Sequence, residues 1–317
     1  MAALSHRLSQ LAFAGLLAWG ALLFVRLGVE AGPAEEAAHL ILLAPLALVP
    51  LYLDATLPAS FAPAPRALTV LSWALGPAAW LAGASFLLAP GLEAAALTAP
   101  WLLVTGGLAL WALEGAWSRW RSGRLDAAEA LIAVGWATLP GGAVWLLLAR
   151  GDVDTGYGGL VTLLTAAHFH YAGSFVAIWA GLLGRMARPR GLAALGVALV
   201  AGFWGVAVGI ALSQGPAGGA IVETVAVVVL AIAAGGAGIA GIVKAGRFED
   251  RVAGLMVAVS GGALALSMAL ALWFHLGAGR GGPDIGWMVD RHGWLNAFGF
   301  GLWGALGWRR LKPRPFP

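Results

Sequence analysis

The sequence predicts an all-α, polytopic membrane protein: a bundle of about ten transmembrane helices in a single domain over residues 1–317. Three observations support this fold class. Of the residues, 60% are hydrophobic and only 11% are charged, whereas an ordinary soluble domain carries about 25% charged residues. Apolar stretches of about 20 residues, long enough to cross a bilayer as a helix, recur from end to end. The short segments between them leave no room for a separate soluble domain.

Each span is placed where an apolar stretch lies between connections that hold prolines and charged residues. Helices are the expected spanning form, because a helix satisfies its backbone hydrogen bonds internally. The predicted spans are 8–29, 36–57, 66–89, 93–117, 126–149, 158–185, 191–213, 219–245, 251–277 and 284–310.

The basic residues predict the orientation. Lys and Arg concentrate on the cytoplasmic side of membrane proteins, and here 15 of 19 fall on one side of the ten-span topology. That side holds both termini, so we expect an N-in, C-in protein of a cell membrane. Its basic residues are Arg7, Arg66, Arg119, Arg121, Arg124, Arg185, Arg188, Arg190, Lys244, Arg247, Arg251, Arg309, Arg310, Lys312 and Arg314.

The first span has two interpretations. Arg7, the apolar run and Val29-Glu30-Ala31 resemble a signal peptide with its cleavage site. The run is long for a signal peptide, which favours an uncleaved anchor. Cleavage would remove one helix and leave the orientation of the others unchanged.

The predicted topology gives each polar residue in a span a depth. Five of the six histidines fall in the outer half of the bilayer, and acidic residues fall at similar depth. Ionisable groups in a bilayer are costly and usually face the bundle interior or water. We therefore predict a polar site near the outer face, drawn from Glu36, His39, His168, His170, Glu223, His292 and Asn296.

Helical spacing refines this site. Glu36 and His39 are three residues apart, and His292 and Asn296 are four apart, so each pair can share a helix face. His168 and His170 are two apart and point about 200° away from each other on a regular helix. One of them therefore enters the site while the other bonds a neighbouring helix, or the helix is distorted near Gly173.

Imidazole and carboxylate groups support two kinds of chemistry. They could ligate a divalent metal ion, for which His168, His170, His292, His39 and Glu36 are the candidate ligands. They could also transfer protons without a metal, with His168, His170 and His292 as acid and base, Asn296 orienting a ligand and Glu223 as an additional base. Structural hydrogen bonding is the third alternative, and it gains weight for His39 and Glu223 near the interface.

Two segments resemble a known family. His168-Phe169-His170-Tyr171-Ala172-Gly173 is similar to the HFHYAG signature of YndJ-like bacterial membrane proteins. The segment 292–299, which reads HGWLNAFG, is similar to that family's second signature, a His-Gly pair followed by Asn-Ala. The resemblance covers the second half of the chain. It implies a bacterial membrane protein and adds weight to both motifs, but the family has no established reaction.

Two function classes remain open. The first is a membrane enzyme, metal-dependent or acid–base, acting on a lipid or another apolar small molecule. The second is a small-molecule or proton-coupled transporter that uses the same histidines as a relay. A protein whose polar residues only hold helices together is a third alternative. Membrane lipid is the expected partner, and nothing in the basic residues indicates nucleic acid.

Overall fold

The computed structural model describes residues 2–26, 32–57, 65–187, 191–213, 219–278 and 280–315. Within these ranges the chain forms ten long helices that alternate in direction along short connections. They are α1 (Ala2–Arg26), α2 (Pro33–Thr56), α3 (Pro65–Ala84), α4 (Leu92–Arg121), α5 (Ala127–Arg150), α6 (Gly159–Ala187), α7 (Leu192–Ser213), α8 (Gly219–Ala245), α9 (Arg251–Gly277) and α10 (285–311).

The helix count confirms the predicted fold class. In the described residues, nine helices are long and apolar enough to cross a membrane. The tenth, α10, has the length but carries Asp290, His292 and Asn296 in its first turns. These polar residues make α10 the least apolar of the ten, which is the pattern of a helix that faces a bundle interior.

Buried ion pairs show that alternate helix ends lie together. Arg309 of α10 bonds Asp54 of α2, with 2.8 Å between Nε and Oδ2. Lys312, just beyond α10, bonds the other oxygen of Asp54 at 2.9 Å and the hydroxyl of Ser5 in α1 at 2.8 Å. The Asp54 side chain is fully buried, so both of its oxygens depend on these partners.

A second buried pair joins the neighbouring helices at the same end. Arg185 of α6 forms a bidentate pair with Glu129 of α5, at 2.6 and 3.0 Å. Arg119 of α4 lies 3.8 Å from the same carboxylate. Arg185 also donates to the carbonyl of Pro313 after α10, which ties this cluster to the first. We call this side of the bundle, with the ends of α2, α4, α6, α8 and α10, the basic end.

The described residues therefore reproduce the predicted grouping of basic residues. Three parts of the prediction lie outside them: the cleavage segment at 29–31, and Arg188 and Arg190 in the sixth connection.

The centre of the bundle is formed by α2 and α6. In their most apolar windows, 89% of α2 and 67% of α6 is buried inside the protein, against 22% of α1 and 28% of α7. Both central helices and α10 contain π-helical segments: Ala44–Leu48, Phe169–Phe175, Val289–Gly293 and Leu295–Leu302.

These π-helical segments meet at Gly301. A Cβ atom at this position would lie 2.8 Å from Leu48 of α2 and 3.2 Å from Tyr171 of α6. The missing side chain at Gly301 therefore lets α10 pack closely against both central helices. The Tyr171 hydroxyl also donates to the carbonyl of Leu40 at 2.7 Å, which couples α6 to α2.

Candidate functional site

The end of the bundle opposite the basic end holds five of the six histidines: His39, His168, His170, His275 and His292. We call it the histidine end. Side-chain contacts at this end join the start of α2 to α10 and the start of α8 to the end of α9, so the helix ends that carry these histidines lie on one side of the bundle. The structure distributes these histidines over four local environments and brings only two imidazoles face to face.

The facing pair is His168 of α6 and His292 of α10. Their ring centroids are 6.3 Å apart and their planes are inclined by 30°. His168 is the last residue before the π-helical segment of α6, and His292 lies within a π-helical segment of α10. Short π-helical insertions are frequent at functional sites. Here they set the two rings against each other across the α6–α10 interface.

Backbone carbonyls favour the same tautomer of both rings. Nδ1 of His168 lies 2.7 Å from the carbonyl oxygen of Leu164, and Nδ1 of His292 lies 3.0 Å from that of Ser267. A carbonyl oxygen only accepts, so these contacts favour the Nδ1-protonated tautomer in both neutral rings. Each Nε2 then presents a lone pair, the arrangement of an oriented base or of a metal-binding imidazole.

Two polar neighbours hold His292 in place. The Ser267 hydroxyl of α9 lies 3.0 Å from its Nδ1, and the amide of Asn296 donates to its carbonyl oxygen at 2.9 Å. Asn296 therefore braces the backbone of the π-helical segment, and its predicted role of orienting a ligand stays a prediction. His168 is exposed and His292 half-buried, so the pair is reachable from the molecular surface.

His170 does not join this pair. It is fully buried and faces α4 and α5, where its ring stacks on Trp101. Its Nδ1 donates to the carbonyl of Ala166 at 2.8 Å, and its Nε2 accepts from the Trp101 indole at 3.3 Å. Both ring nitrogens are hydrogen-bonded inside the protein, so His170 is separate from the facing pair, as the two-residue spacing from His168 allows. Its predicted roles as ligand or acid–base group stay predictions.

His39 and Glu36 form a separate cluster. His39 is buried against Trp19 of α1, with ring centroids 4.6 Å apart. The Trp294 indole of α10 donates to the Glu36 carboxylate at 2.5 Å. The cluster joins α1, α2 and α10 and lies beside the facing pair along α10.

Glu223 lies apart from the facing pair, beside His275. Its carboxylate lies 3.6 Å from Nδ1 of His275, and the neighbouring Thr224 bonds Nε2 of the same ring at 2.8 Å. This cluster links α8 to α9. The structure places Glu223 beside His275 and not beside the facing pair, and its predicted role as a base stays a prediction.

The predicted five-residue metal set is not assembled. In the part of the chain that the structure describes, no three His, Asp or Glu side chains lie close enough to share a metal ion. His168 and His292 supply two imidazoles, whereas zinc sites use at least three protein ligands. His170 is occupied by Trp101, and His39 and Glu36 lie in their own cluster, so the residues do not fit a divalent metal.

Sequence reasoning missed the partners of the histidines. Trp101 and Ser267 stand in apolar spans without any motif, so nothing distinguished them from packing residues. Trp294 lies inside the HGWLNAFG segment, yet its bond to Glu36 depends on how α2 and α10 meet.

Comparison with known proteins identifies the family. A family model described as YndJ-like protein matches residues 39–300 of this chain. The chain belongs to the YndJ-like family. Both histidine motifs lie inside the matched range, which also extends into the first half of the chain, beyond what the two motifs predicted.

One YndJ-like relative is the uncharacterized membrane protein YndJ of Bacillus subtilis (strain 168). It is 26% identical over 219 residues, which are 68% of this chain and 38% of that protein. The chain thus matches well under half the length of this curated relative. No solved structure matches the chain.

Proposed function

We propose that this YndJ-like protein is a membrane-embedded enzyme in which His168 and His292 act as a metal-free acid–base pair. The observation that supports this proposal is the facing of the two imidazoles, each with Nδ1 donating to a backbone carbonyl. His170, by contrast, has both ring nitrogens hydrogen-bonded within the protein. Within the described residues, His168 and His292 are hydrogen-bonded through Nδ1, which leaves Nε2 for a reacting group.

The pair suits proton transfer at a bound polar group. In the neutral pair, one Nε2 accepts a proton from a hydroxyl or an activated water, which is general base catalysis. Two positive charges about 6 Å apart repel strongly where water is scarce, so the pair takes up only one proton beyond the two on its Nδ1 atoms. The protonated ring then serves as the acid, and the neutral ring stabilises the charge beside it.

The substrate we propose is a lipid or another apolar small molecule. His168 is exposed on a bundle whose surroundings are membrane, so an amphiphile can bring its polar group to the pair while its chains stay in the bilayer. We place the protein in a bacterial cell membrane with the histidine end outside. Support comes from the basic residues at the opposite end and from the Bacillus subtilis relative.

The sequence of the three helices around the pair favours local chemistry over a proton path across the bilayer. Between His168 and Arg185, α6 carries only His170 and Tyr171 as titratable residues. Neither α9 from Val252 to Phe274 nor α10 from Gly293 to Trp308 carries a titratable residue. A proton-coupled transporter needs a relay through this half of the membrane.

Reconstitution in vesicles of a bacterial polar lipid extract tests the proposal. Lipid species are followed by mass spectrometry for the wild type, His168→Gln, His292→Gln and the control His275→Gln, which removes an imidazole of the Glu223 cluster. We expect the wild type and the control to convert the same lipid class, and both variants of the pair to lose at least 100-fold in rate, the lower range for acid–base groups.

Three results would contradict the proposal. One is a wild type that alters no lipid, and another is conversion that survives in His168→Gln and His292→Gln. The third is a proton flux across the vesicle membrane that both variants abolish without any lipid change, which would favour the transporter.

A further inference from the structure

A cavity of about 580 Å³ opens at the basic end, about 20 residues along the helices from the His168–His292 pair. It is formed by the ends of α6, α8 and α10 and the start of α9. Its volume lies within the range of small-molecule sites. It is lined by Met186, Ala187, Lys244, Arg247, Phe248, Glu249, Asp250, Arg310 and Leu311.

The basic residues of this basic-end cavity differ in whether they pair with an acidic residue. Arg310 is paired with Asp250, and the Asp250 carboxylate also caps α9 by accepting from the amide of Ala253 at 3.1 Å. These bonds hold the pKa of Asp250 below its usual value. Asp250 thus stays ionised and neutralises Arg310.

Lys244 and Arg247 differ from Arg310 in this respect. Among the described residues, neither side chain takes part in an ion pair, and both line the cavity. Glu249 is the remaining acidic residue of the lining and, like Arg247, is exposed. The lining thus holds three basic and two acidic residues, with an excess of one positive charge.

Apolar residues form another part of the lining. Met186 lies in the last turn of α6, Leu311 ends α10, and Phe248 is buried against Trp308. A wall of this kind suits the glycerol and first methylene groups of a lipid, whereas a free inorganic ion gains nothing from it. The cavity also lies where transmembrane helices end, at the level of lipid headgroups.

We propose that this basic-end cavity binds the phosphate headgroup of an anionic phospholipid from the adjoining leaflet, through Lys244 and Arg247. Basic pockets between transmembrane helices on the cytoplasmic side are typical sites for such headgroups. The proposal is independent of the acid–base pair, since none of these residues contacts the histidine end.

Native mass spectrometry of the full chain in detergent tests this site. The probes are phosphatidylglycerol, the zwitterionic phosphatidylcholine with the same acyl chains, and inorganic phosphate. The variant is Lys244→Gln with Arg247→Gln. The matched control is Arg121→Gln with Arg124→Gln, which removes two exposed charges from the same end of the bundle outside the cavity.

We expect phosphatidylglycerol to bind the wild type and the control more tightly than phosphatidylcholine. Each basic residue near a membrane surface contributes about fivefold in affinity for anionic lipid, so the Lys244–Arg247 variant is expected to bind phosphatidylglycerol about 25-fold more weakly. Equal binding of both lipids to the wild type would overturn the proposal. So would an equal loss in the control, or displacement of phosphatidylglycerol by millimolar phosphate.

Discussion

At the residue scale, the contrast between His168 and His170 carries the functional argument. The two side chains are neighbours in one motif, yet His168 faces His292 while His170 has both ring nitrogens bonded inside the protein. Their spacing predicted that they would diverge. Which of the two enters the site was open from the sequence, because that choice depends on the positions of α4 and α10.

Substitution of His170 is expected to lower stability, whereas substitution of His168 is expected to abolish the proposed activity. His170→Leu leaves the Trp101 indole N–H buried without its acceptor, which costs about 1–3 kcal/mol. His168→Gln changes an exposed side chain and is expected to cost less than about 0.5 kcal/mol while abolishing the proposed activity. Thermal unfolding of both variants in the same detergent measures the difference. Equal losses of stability would show that His168 is also structural.

At the element scale, the site depends on π-helical segments in α2, α6 and α10. Pro45 and Pro50, which lack an N–H, lie in and just after the segment of α2, so the sequence offers a local reason for that distortion. The sequence also suggested a distortion of α6 near Gly173 as one alternative. Nothing in the sequence indicated the segments of α10, which form where it packs between α2 and α6.

Gly301→Ala tests the meeting point of these segments. The added methyl group would lie within 2.8 Å of Leu48, and overpacking of this kind costs about 1–3 kcal/mol. The matched control is Gly236→Ala in α8, where a Cβ meets nothing within 4 Å and a small gain is expected from helix propensity. Thermal unfolding compares the two variants. A Gly301→Ala protein as stable as the control would contradict the close packing.

At the scale of the whole molecule, buried ion pairs close the basic end. Asp54 and Glu129 have no exposed side-chain area, and each is bonded by cations from another helix. Composition and charge patterns were sufficient for the ten helices and for the side on which the basic residues lie. They could not reveal these pairs, because the partners are more than 50 residues apart and meet only in the folded bundle.

Removing one member of such a pair is expected to be strongly destabilising. Glu129→Gln leaves Arg185 buried without its anion, at a cost of about 3–5 kcal/mol, whereas replacing both residues by leucine is expected to recover much of this loss. Asp290→Asn at an exposed pair with Arg291 is the control, worth less than about 1 kcal/mol. The unfolding midpoints of the wild type, Glu129→Gln, the double leucine variant and Asp290→Asn test these expected losses of stability. A double variant as unstable as Glu129→Gln would contradict this account.

The orientation can be tested directly because the chain has no cysteine. We expect a membrane-impermeant maleimide to label Asp154→Cys, between α5 and α6, in intact spheroplasts. Ser122→Cys, between α4 and α5, should be labelled only after permeabilisation. Both positions are exposed, so a difference in labelling reports the side of the membrane on which each cysteine lies. The reverse pattern would place the histidine end in the cytoplasm.

The most direct test of the facing imidazoles is nitrogen NMR of the protein in nanodiscs with ¹⁵N-labelled histidine, at a pH where the rings are neutral. Nδ1-protonated signals are expected for His168 and His292, and His292→Gln should shift the signals of His168 while the control His275→Gln leaves them in place. A His168 signal that does not respond to His292→Gln, or that reports protonated Nε2, would contradict the acid–base pair.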